Sequence, residues 1–302
     1  MVQTWASFIS RSAAWAVRRA KRRTEHGTHQ DSGTTNEDED PAFWATHPHD
    51  DLAKRCAALH AESRRAYQER LDAEIRGARA GMAAVFVHGT GIEVGAGTRP
   101  WPVPQGVTIL YGDIRNDAEL QRYFDKAGSP SVDRTIDAQT YAGVADESCD
   151  FVLSAHVIEH LFDPLGSIAA AMRTLKPNGV HLIAAPDMRF TFDCKRPETT
   201  VEHILRDFED GGESTRLQAY EEHCRFVHPT WSPPIPEHQI PATARQICEG
   251  GMDVHVHAWT YDGFAAMLAA GAGLIGFRVE AGMTVVNESI FALRKMKDQA
   301  AS

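Results

Sequence analysis

Short apolar runs bounded by turn residues recur through the middle of the chain. They are "GIEVGA" (91–96), "VTILYGD" (107–113), "CDFVLSA" (149–155) and "GVHLIAAP" (179–186). Each has the length and flanks of a buried strand. "SVDRTID" (131–137) predicts one more. "LGSIAAAMRTLK" (165–176) spaces its apolar residues as an amphipathic helix, and Pro177-Asn178-Gly179 predicts its stop. Later, "DGFAAMLAAGA" (262–272) predicts a helix, then "LIGFRVEAG" and "ESIFALRK" a β-hairpin. Strands alternating with helices imply an α/β fold: a mostly parallel sheet, helices on both faces, the hairpin adding antiparallel strands at its edge.

The flanks follow other patterns. From 41 to 80 apolar residues (Leu52, Cys56, Leu59, Tyr67, Leu71, Ile75) recur every three to four positions among charges, which predicts N-terminal helices packed on the main domain. The core is expected over 81–196, resuming over 251–302. Between these, 197–250 is polar, rich in His and Pro and helical in part ("TTVEHILRDFED"), an expected helical insertion capping the sheet's carboxyl edge. Residues 1–40 set Trp5, Phe8, Ile9 and Trp15 before Arg18, Arg19, Lys21, Arg22 and Arg23, and end in a polar, acidic stretch. Four readings stand: a basic amphipathic helix lying on an anionic membrane surface, a targeting segment, a poorly ordered tail, or a start codon placed too far upstream.

Composition narrows the class. A hydrophobic fraction of 43% supports a sizeable core, and a net charge of −10 argues against wholesale nucleic-acid binding. Five scattered cysteines without a CxxC point to a reducing compartment, so a cytoplasmic location is expected, with peripheral contact at the inner membrane face if the tail binds lipid. No apolar run reaches the roughly 18–20 residues of a membrane span.

Candidate chemistry starts at the first strand's end. Gly95 and Gly97 form a turn where backbone approaches a ligand closely. The run E-V-G-A-G-T-R-P lacks the third glycine of a dinucleotide site, and prolines at 100, 102 and 104 forbid a regular helix there. A pyrophosphate on a long helix N-terminus is therefore disfavoured. Glu93 lies within the strand, Asp113 ends the second strand where an acid bonds ribose hydroxyls, and Asp137-Ala138 follow the third with groups that can read an adenine edge.

These motifs occur in order with "CDFVLSAHVIEHLFDPLGSIAAAMRTLKPNGVHLIAAPD". From about Gly91 to Asp187 the chain resembles class I S-adenosylmethionine-dependent methyltransferases. The resemblance implies a Rossmann-like, mostly parallel seven-stranded sheet and adenosylmethionine as cofactor. It implies that Glu93 approaches the cofactor's amino-acid end, Asp113 the ribose and Asp137 the adenine. Gly95, Ala96, Gly97, Ile114, Ala138 and Ser154 complete the expected cofactor site. The departure is the Pro-rich stretch after Gly97, where the family has a helix. "GTRPWPVPQGVTILYGD", "PDMRFTFDCKRPETTVEHILRDF" and "HVHAWT" are similar to bacterial methyltransferases linked with glycosyltransferases and surface polysaccharides.

"HVIEHL" (156–161) follows the fourth strand, where a transferred methyl should lie. In a helix His156, Glu159 and His160 share a face able to bind a divalent metal (Mg, Mn or Zn). The run resembles the E-x-x-E-H of small-RNA 2′-O-methyltransferases and ubiquinone-pathway O-methyltransferases, with His156 replacing the first Glu. That resemblance implies a further histidine from later in the chain, and His255 and His257 alternate as on one strand face. The alternatives are His160 as general base, or His160 packed under the cofactor. Asp187 and His203 are the next catalytic candidates. Asp187, Arg189, Asp193 and Arg196 would bond sugar hydroxyls or form a salt-bridged loop. The expected function is O-methylation of a sugar or other polyhydroxylated acceptor, metal-assisted or not. The alternatives are N- or O-methylation of a small natural product, and a catalytically idle module that binds a glycan or protein.

Overall fold

The computed structural model describes residues 49–124 and 129–296. The expected 1–40 tail lies outside them. Strands β1 (Thr90–Val94), β2 (Thr108–Asp113), β3 (Arg134–Thr135), β4 (Cys149–Ala155), β5 (Leu175–Pro186), β6 (Phe277–Val285) and β7 (Glu288–Lys295) form one sheet. Its order is β3-β2-β1-β4-β5-β7-β6. Strands β1 to β5 run parallel, and the β6–β7 hairpin joins antiparallel to β5. This is the α/β sheet the apolar pattern predicts. The helices are α1 (His49–Phe86), α2 (Asp117–Phe124), α3 (Pro164–Thr174), α4 (Val201–Asp210), α5 (Arg216–Glu222), α6 (Ile240–Glu249) and α7 (Tyr261–Ile275). Among these residues no helix is long and apolar enough to cross a membrane.

Local chemistry sets the element ends. Asp163 caps α3 by accepting the Gly166 N–H at 2.7 Å, with Pro164 at the first position. Asn116 and Glu119 exchange hydrogen bonds as a capping box on α2. Thr260 caps α7, which ends on Gly276 at φ 88°. The expected stop at 177–179 differs in detail. Helix α3 ends at Thr174, and strand pairing jumps from Cys149–Leu175 to Phe151–Val180. Residues 176–179 therefore bulge from β5, with Asn178 at φ 66°.

The two faces of the sheet are covered differently. Helices α3 and α7 bury one face, through Leu165, Ile168, Phe264 and Leu268 against Ile92, Val94 and Val152. On the other, Met82 and Ala83 of α1 pack with Trp101 over Phe151, Leu153, Leu182 and Ile290. Strand alternation sends Val152 one way and its neighbours the other. No helix links β1 to β2. The Pro-rich stretch crosses the sheet as a loop with Trp101 only 2% exposed, and the end of α1 supplies the missing helical cover. The expected N-terminal helices are one helix that runs past the boundary placed at 80. Among the described residues it is exposed from 53 to 66, Cys56 and Leu59 included, and burial begins at Tyr67.

The insertion has its own small core. Ala219, Tyr220, Cys224, Ile240 and Ala244 pack with Val254 and Val256. The last two come from beyond the insertion, so it is anchored to the segment that leads into α7.

Candidate active site

A cavity of about 1230 Å³ opens at the carboxyl end of the parallel strands, with the insertion and α1 at its rim. Ligands of open α/β sheets bind at this edge. Gly95, Ala96, Gly97, Asp113, Ile114, Asp137 and Ala138 line one end. Gly95 and Gly97 have φ of 67° and 52°. A Cβ would meet Val157 at 2.5 Å at the first and Phe124 at 2.8 Å at the second. Backbone therefore forms this wall, and only glycine allows it. Asp113 Oδ1 accepts the Arg115 N–H at 2.9 Å, and burial raises the Asp113 pKa. Asp137 accepts from the Gln139 N–H and the Thr140 hydroxyl, which fixes its carboxylate at the rim.

Two expected cofactor contacts lie elsewhere. Ser154 is buried in β4 and pairs with His181 Nε2 at 3.0 Å, away from the cavity. Glu93 does not line the cavity either. Its carboxylate accepts the Trp101 N–H at 3.0 Å, under the Arg79 and Trp101 side of the sheet. The two side chains lie on opposite faces of the sheet, Glu93 in register with Leu153 and Ser154 with Val94. Burial pushes the Glu93 pKa up to about 8, against the Trp101 bond and the Arg79 charge. A raised folded pKa means the native state holds this proton after the unfolded chain has lost it. This contribution is most favourable below the ordinary value of 4.5 and is lost as pH rises through about 8. Glu93→Gln should raise the melting temperature relative to the parent at pH 8 and bring no such gain at pH 4. A parallel pH profile for both proteins would contradict it.

The other end of the cavity holds the histidines. "HVIEHL" is not an α-helix: His156 sits at φ 56° and Ile158–His160 form one 3-10 turn. The two N–H groups of Val256 and His257 bond to the Glu159 carbonyl, which draws the 253–257 segment against this turn. Glu159, His160 and His255 then converge, with ligand atoms within 4.8 Å of one another. Glu159 Oε1 lies 3.8 Å from His160 Nε2 and 3.9 Å from His255 Nε2. Glu159 is fully buried, and neither carboxylate oxygen has a hydrogen-bond partner among the described residues. Burial opposes its charge, but the surrounding histidines prevail and its pKa is lowered.

Each histidine is held from behind by a carboxylate. His160 Nδ1 lies 2.8 Å from Asp253, and His255 Nδ1 lies 2.7 Å from Asp193. Such partners fix the ring with Nε2 facing forward, as behind metal-ligating histidines. The carboxylates are themselves fixed. Tyr123 donates to Asp253 at 2.7 Å and Arg115 pairs with it at 3.1 Å. Arg196, 5% exposed, pairs with Asp193 at 3.2 Å and donates to the carbonyls of His255 and Val256. Asp193 and Arg196 thus form the salt-bridged loop rather than a sugar-binding pair. Burial disfavours the charged form of His160, yet Asp253 and Glu159 outweigh it and raise its pKa.

Four expected residues are not in this cluster. His156 Nε2 pairs with Glu288 Oε1 at 2.8 Å, and Arg79 pairs with the same carboxylate. His156 Nδ1 also lies 3.6 Å from Glu159 Oε1; burial lowers the His156 pKa, but Glu288 and Glu159 together raise it to about 9. His257 and His203 lie together outside the cavity, because the chain bends at Val256 and turns His257 away from His255. Asp187 is buried and pairs with Arg189 at 2.5 Å, so it is no free base. The functional residues missed from sequence are Asp253, Arg115 and Tyr123. Asp253 alone had a local signal, as an acid two residues before His255.

Residues 95–183 match the family described as "Methyltransferase domain". No curated protein sequence matches the chain. Solved structures resemble it distantly. An S-adenosylmethionine-dependent methyltransferase of Aquifex aeolicus is 12% identical, covering 68% of this chain and 81% of its own, at a TM-score of 0.36. One from Methanosarcina mazei is 14% identical, covering 72% and 98%, at 0.40. Likeness at this level says nothing of acceptor or residue roles. Sheet order, glycine turn and the domain match define an enzyme of the S-adenosylmethionine-dependent methyltransferase class. The methyltransferase match spans the turn at Gly95 through the middle of β5.

Proposed function

We propose that the enzyme methylates a hydroxyl oxygen of a sugar or another polyhydroxylated small molecule, with a divalent cation held by Glu159, His160 and His255. The observation that carries this reading is the buried Glu159 carboxylate, without a hydrogen bond of ordinary geometry among the described residues, which has His156 at 3.6 Å on one side and on the other two histidines that are each braced by a second carboxylate. Paired nitrogen and oxygen donors of this kind suit Mn²⁺, Zn²⁺ or Mg²⁺. A cation held there would supply positive charge beside the acceptor oxygen and favour loss of its proton. The cofactor end would be held by the Gly95–Gly97 backbone, Asp113 and Asp137, and the bound cofactor supplies an electrophilic methyl. Holding the two partners in line provides much of the rate. Phe190, Phe192 and Tyr220 line the acceptor end, and aromatic faces suit the C–H faces of a sugar ring. The resemblance to glycosyltransferase-linked methyltransferases favours a glycan acceptor.

Chelation is the direct test. It should lower turnover by about 100-fold or more while adenosylmethionine still binds, and added Mg²⁺, Mn²⁺ or Zn²⁺ should restore it. Turnover untouched by chelators would transfer the proton to the second reading, in which His160, braced by Asp253, is the general base. A panel of hydroxylated acceptors, with methyl release followed by mass, tests the acceptor class. Methylation of amines alone would reject it.

Asp113 gives an independent check on the cofactor end. Asp113→Ala should weaken adenosylmethionine binding by about 1–3 kcal/mol, the order of hydrogen bonds to a charged group. Calorimetry reads this directly. Unchanged affinity would remove Asp113 from the ribose contact.

A further inference from the structure

We infer that His203, Asp207 and His257 form a second divalent-cation site, of zinc-binding chemistry, that ties the insertion to the segment carrying His255. The site lies outside the catalytic cavity and does not depend on the proposed function. His203 and Asp207 stand one turn apart on α4, so both face the same way. His257 enters from the segment before α7, and the three ligand atoms lie within 4.8 Å of one another. Asp207 Oδ2 is 3.2 Å from His203 Nε2 and 3.6 Å from His257 Nε2. Two atoms bound tetrahedrally to zinc at about 2.0–2.1 Å stand about 3.4 Å apart, so the separations fit with little movement.

The polar atoms make the case. His203 Nε2, Asp207 Oδ2 and His257 Nε2 are buried without a hydrogen bond of ordinary geometry, while the His257 ring also meets the Phe162 backbone. Asp207 and His257 are fully buried. Leaving so many buried polar atoms unmatched is costly, and a cation would satisfy three at once. The remaining parts of these residues are already fixed. The Thr215 hydroxyl donates to Asp207 Oδ1, and Trp259 stacks on His257 with ring centroids 5.2 Å apart. Thr200 caps α4 through the His203 N–H. The oxygen and nitrogen donors are two imidazoles and one carboxylate, a set that suits Zn²⁺. The His203 side chain is 13% exposed, so the site reaches the surface along that edge, where water can fill a fourth position.

The consequence is mechanical. His255 and His257 flank Val256, so a cation on His257 would hold the same short segment that presents His255 to Glu159.

The test separates the two sites by using Glu159→Gln protein, in which the cavity cluster has lost its charge. After chelator treatment and dialysis, this variant is titrated with Zn²⁺ and, for its visible spectrum, with Co²⁺. One equivalent of Zn²⁺ should bind and raise the melting temperature, and the Co²⁺ spectrum should show low coordination by nitrogen and oxygen. Adding His203→Gln, at the rim, or Asp207→Asn, of the same shape, should weaken Zn²⁺ by more than the roughly 10–100-fold that follows loss of an outer partner. It should also abolish the melting-temperature rise. No Zn²⁺ bound to Glu159→Gln would overturn the inference, whatever the folding of the double variants. So would unchanged affinity in a folded double variant.

Discussion

Glu159→Gln should lower methyl transfer by about 10²–10⁴-fold while adenosylmethionine affinity stays within a few-fold of the parent. The substitution keeps size and removes one charge at the centre of the acceptor end. Glu159 is fully buried, its carboxylate has no hydrogen bond of ordinary geometry among the described residues, and His156, His160 and His255 face it across 3.6, 3.8 and 3.9 Å. Among the described residues the side chains facing this carboxylate are His156, His160 and His255 rather than those at the Gly95–Asp113 end, so binding of the methyl donor is expected to be spared. Steady-state turnover and calorimetry read the two quantities separately. A loss of binding that equals the loss of turnover would mean a general collapse of the cavity. Turnover within about three-fold of the parent would remove Glu159 from the chemistry and leave the His160–Asp253 pair as the base, since that pair touches Glu159 only through His160.

The sheet was legible because its signals are local. The strands that fill the core are short apolar runs, and the hairpin is two such runs separated by a turn; β4 coincides with "CDFVLSA" residue for residue, whereas of the strand expected over 131–137 only the exposed Arg134–Thr135 pairs. Gly95, Asp113 and Asp137 line one end of the cavity, and sequence pointed to them for the same reason, since each lies at or just past a strand end. What failed depends on contacts far apart in sequence. Glu288 opens β7 and takes His156 from the expected metal set, with Arg79 of α1 on its other side. Asp253 and Asp193 brace the histidines from separate segments. The Pro-rich stretch was read as a missing helix without a substitute, because nothing local says that α1 covers that face and that Trp101 is buried beneath it. His255 and His257 were placed on one face by a period of two, which holds in a strand and fails at the bend of Val256. Glu93 and Ser154 carried the right residue types, but Glu93 is taken by Trp101 on one face of the sheet and Ser154 by His181 on the other.

Arg196→Met should destabilise the fold by about 3–5 kcal/mol, the cost of leaving a buried charge without its partner. The guanidinium is almost fully buried and makes four kinds of contact. It pairs with Asp193 and with Glu222 of α5, and it donates to the backbone carbonyls of His255 and Val256 at 2.7 and 2.9 Å. Burial alone would raise the Asp193 pKa, and His255 together with Arg196 hold it low instead. Methionine fills much of the volume but leaves Asp193 with only His255 as an ion-pair partner, Glu222 without its guanidinium and two carbonyls without donors. The damage should not be uniform. Arg196 joins the insertion, the 187–196 loop and the segment bearing His255, whereas the parallel strands and α3 pack without it. Urea denaturation should therefore show the loss of stability, and hydrogen exchange should show the fastest new opening in 216–227 and 253–258. Any acceptor step that relies on His255 should weaken further than adenosylmethionine binding does. A midpoint within experimental error of the parent would mean that Asp193 and the two carbonyls find other partners when the guanidinium is gone.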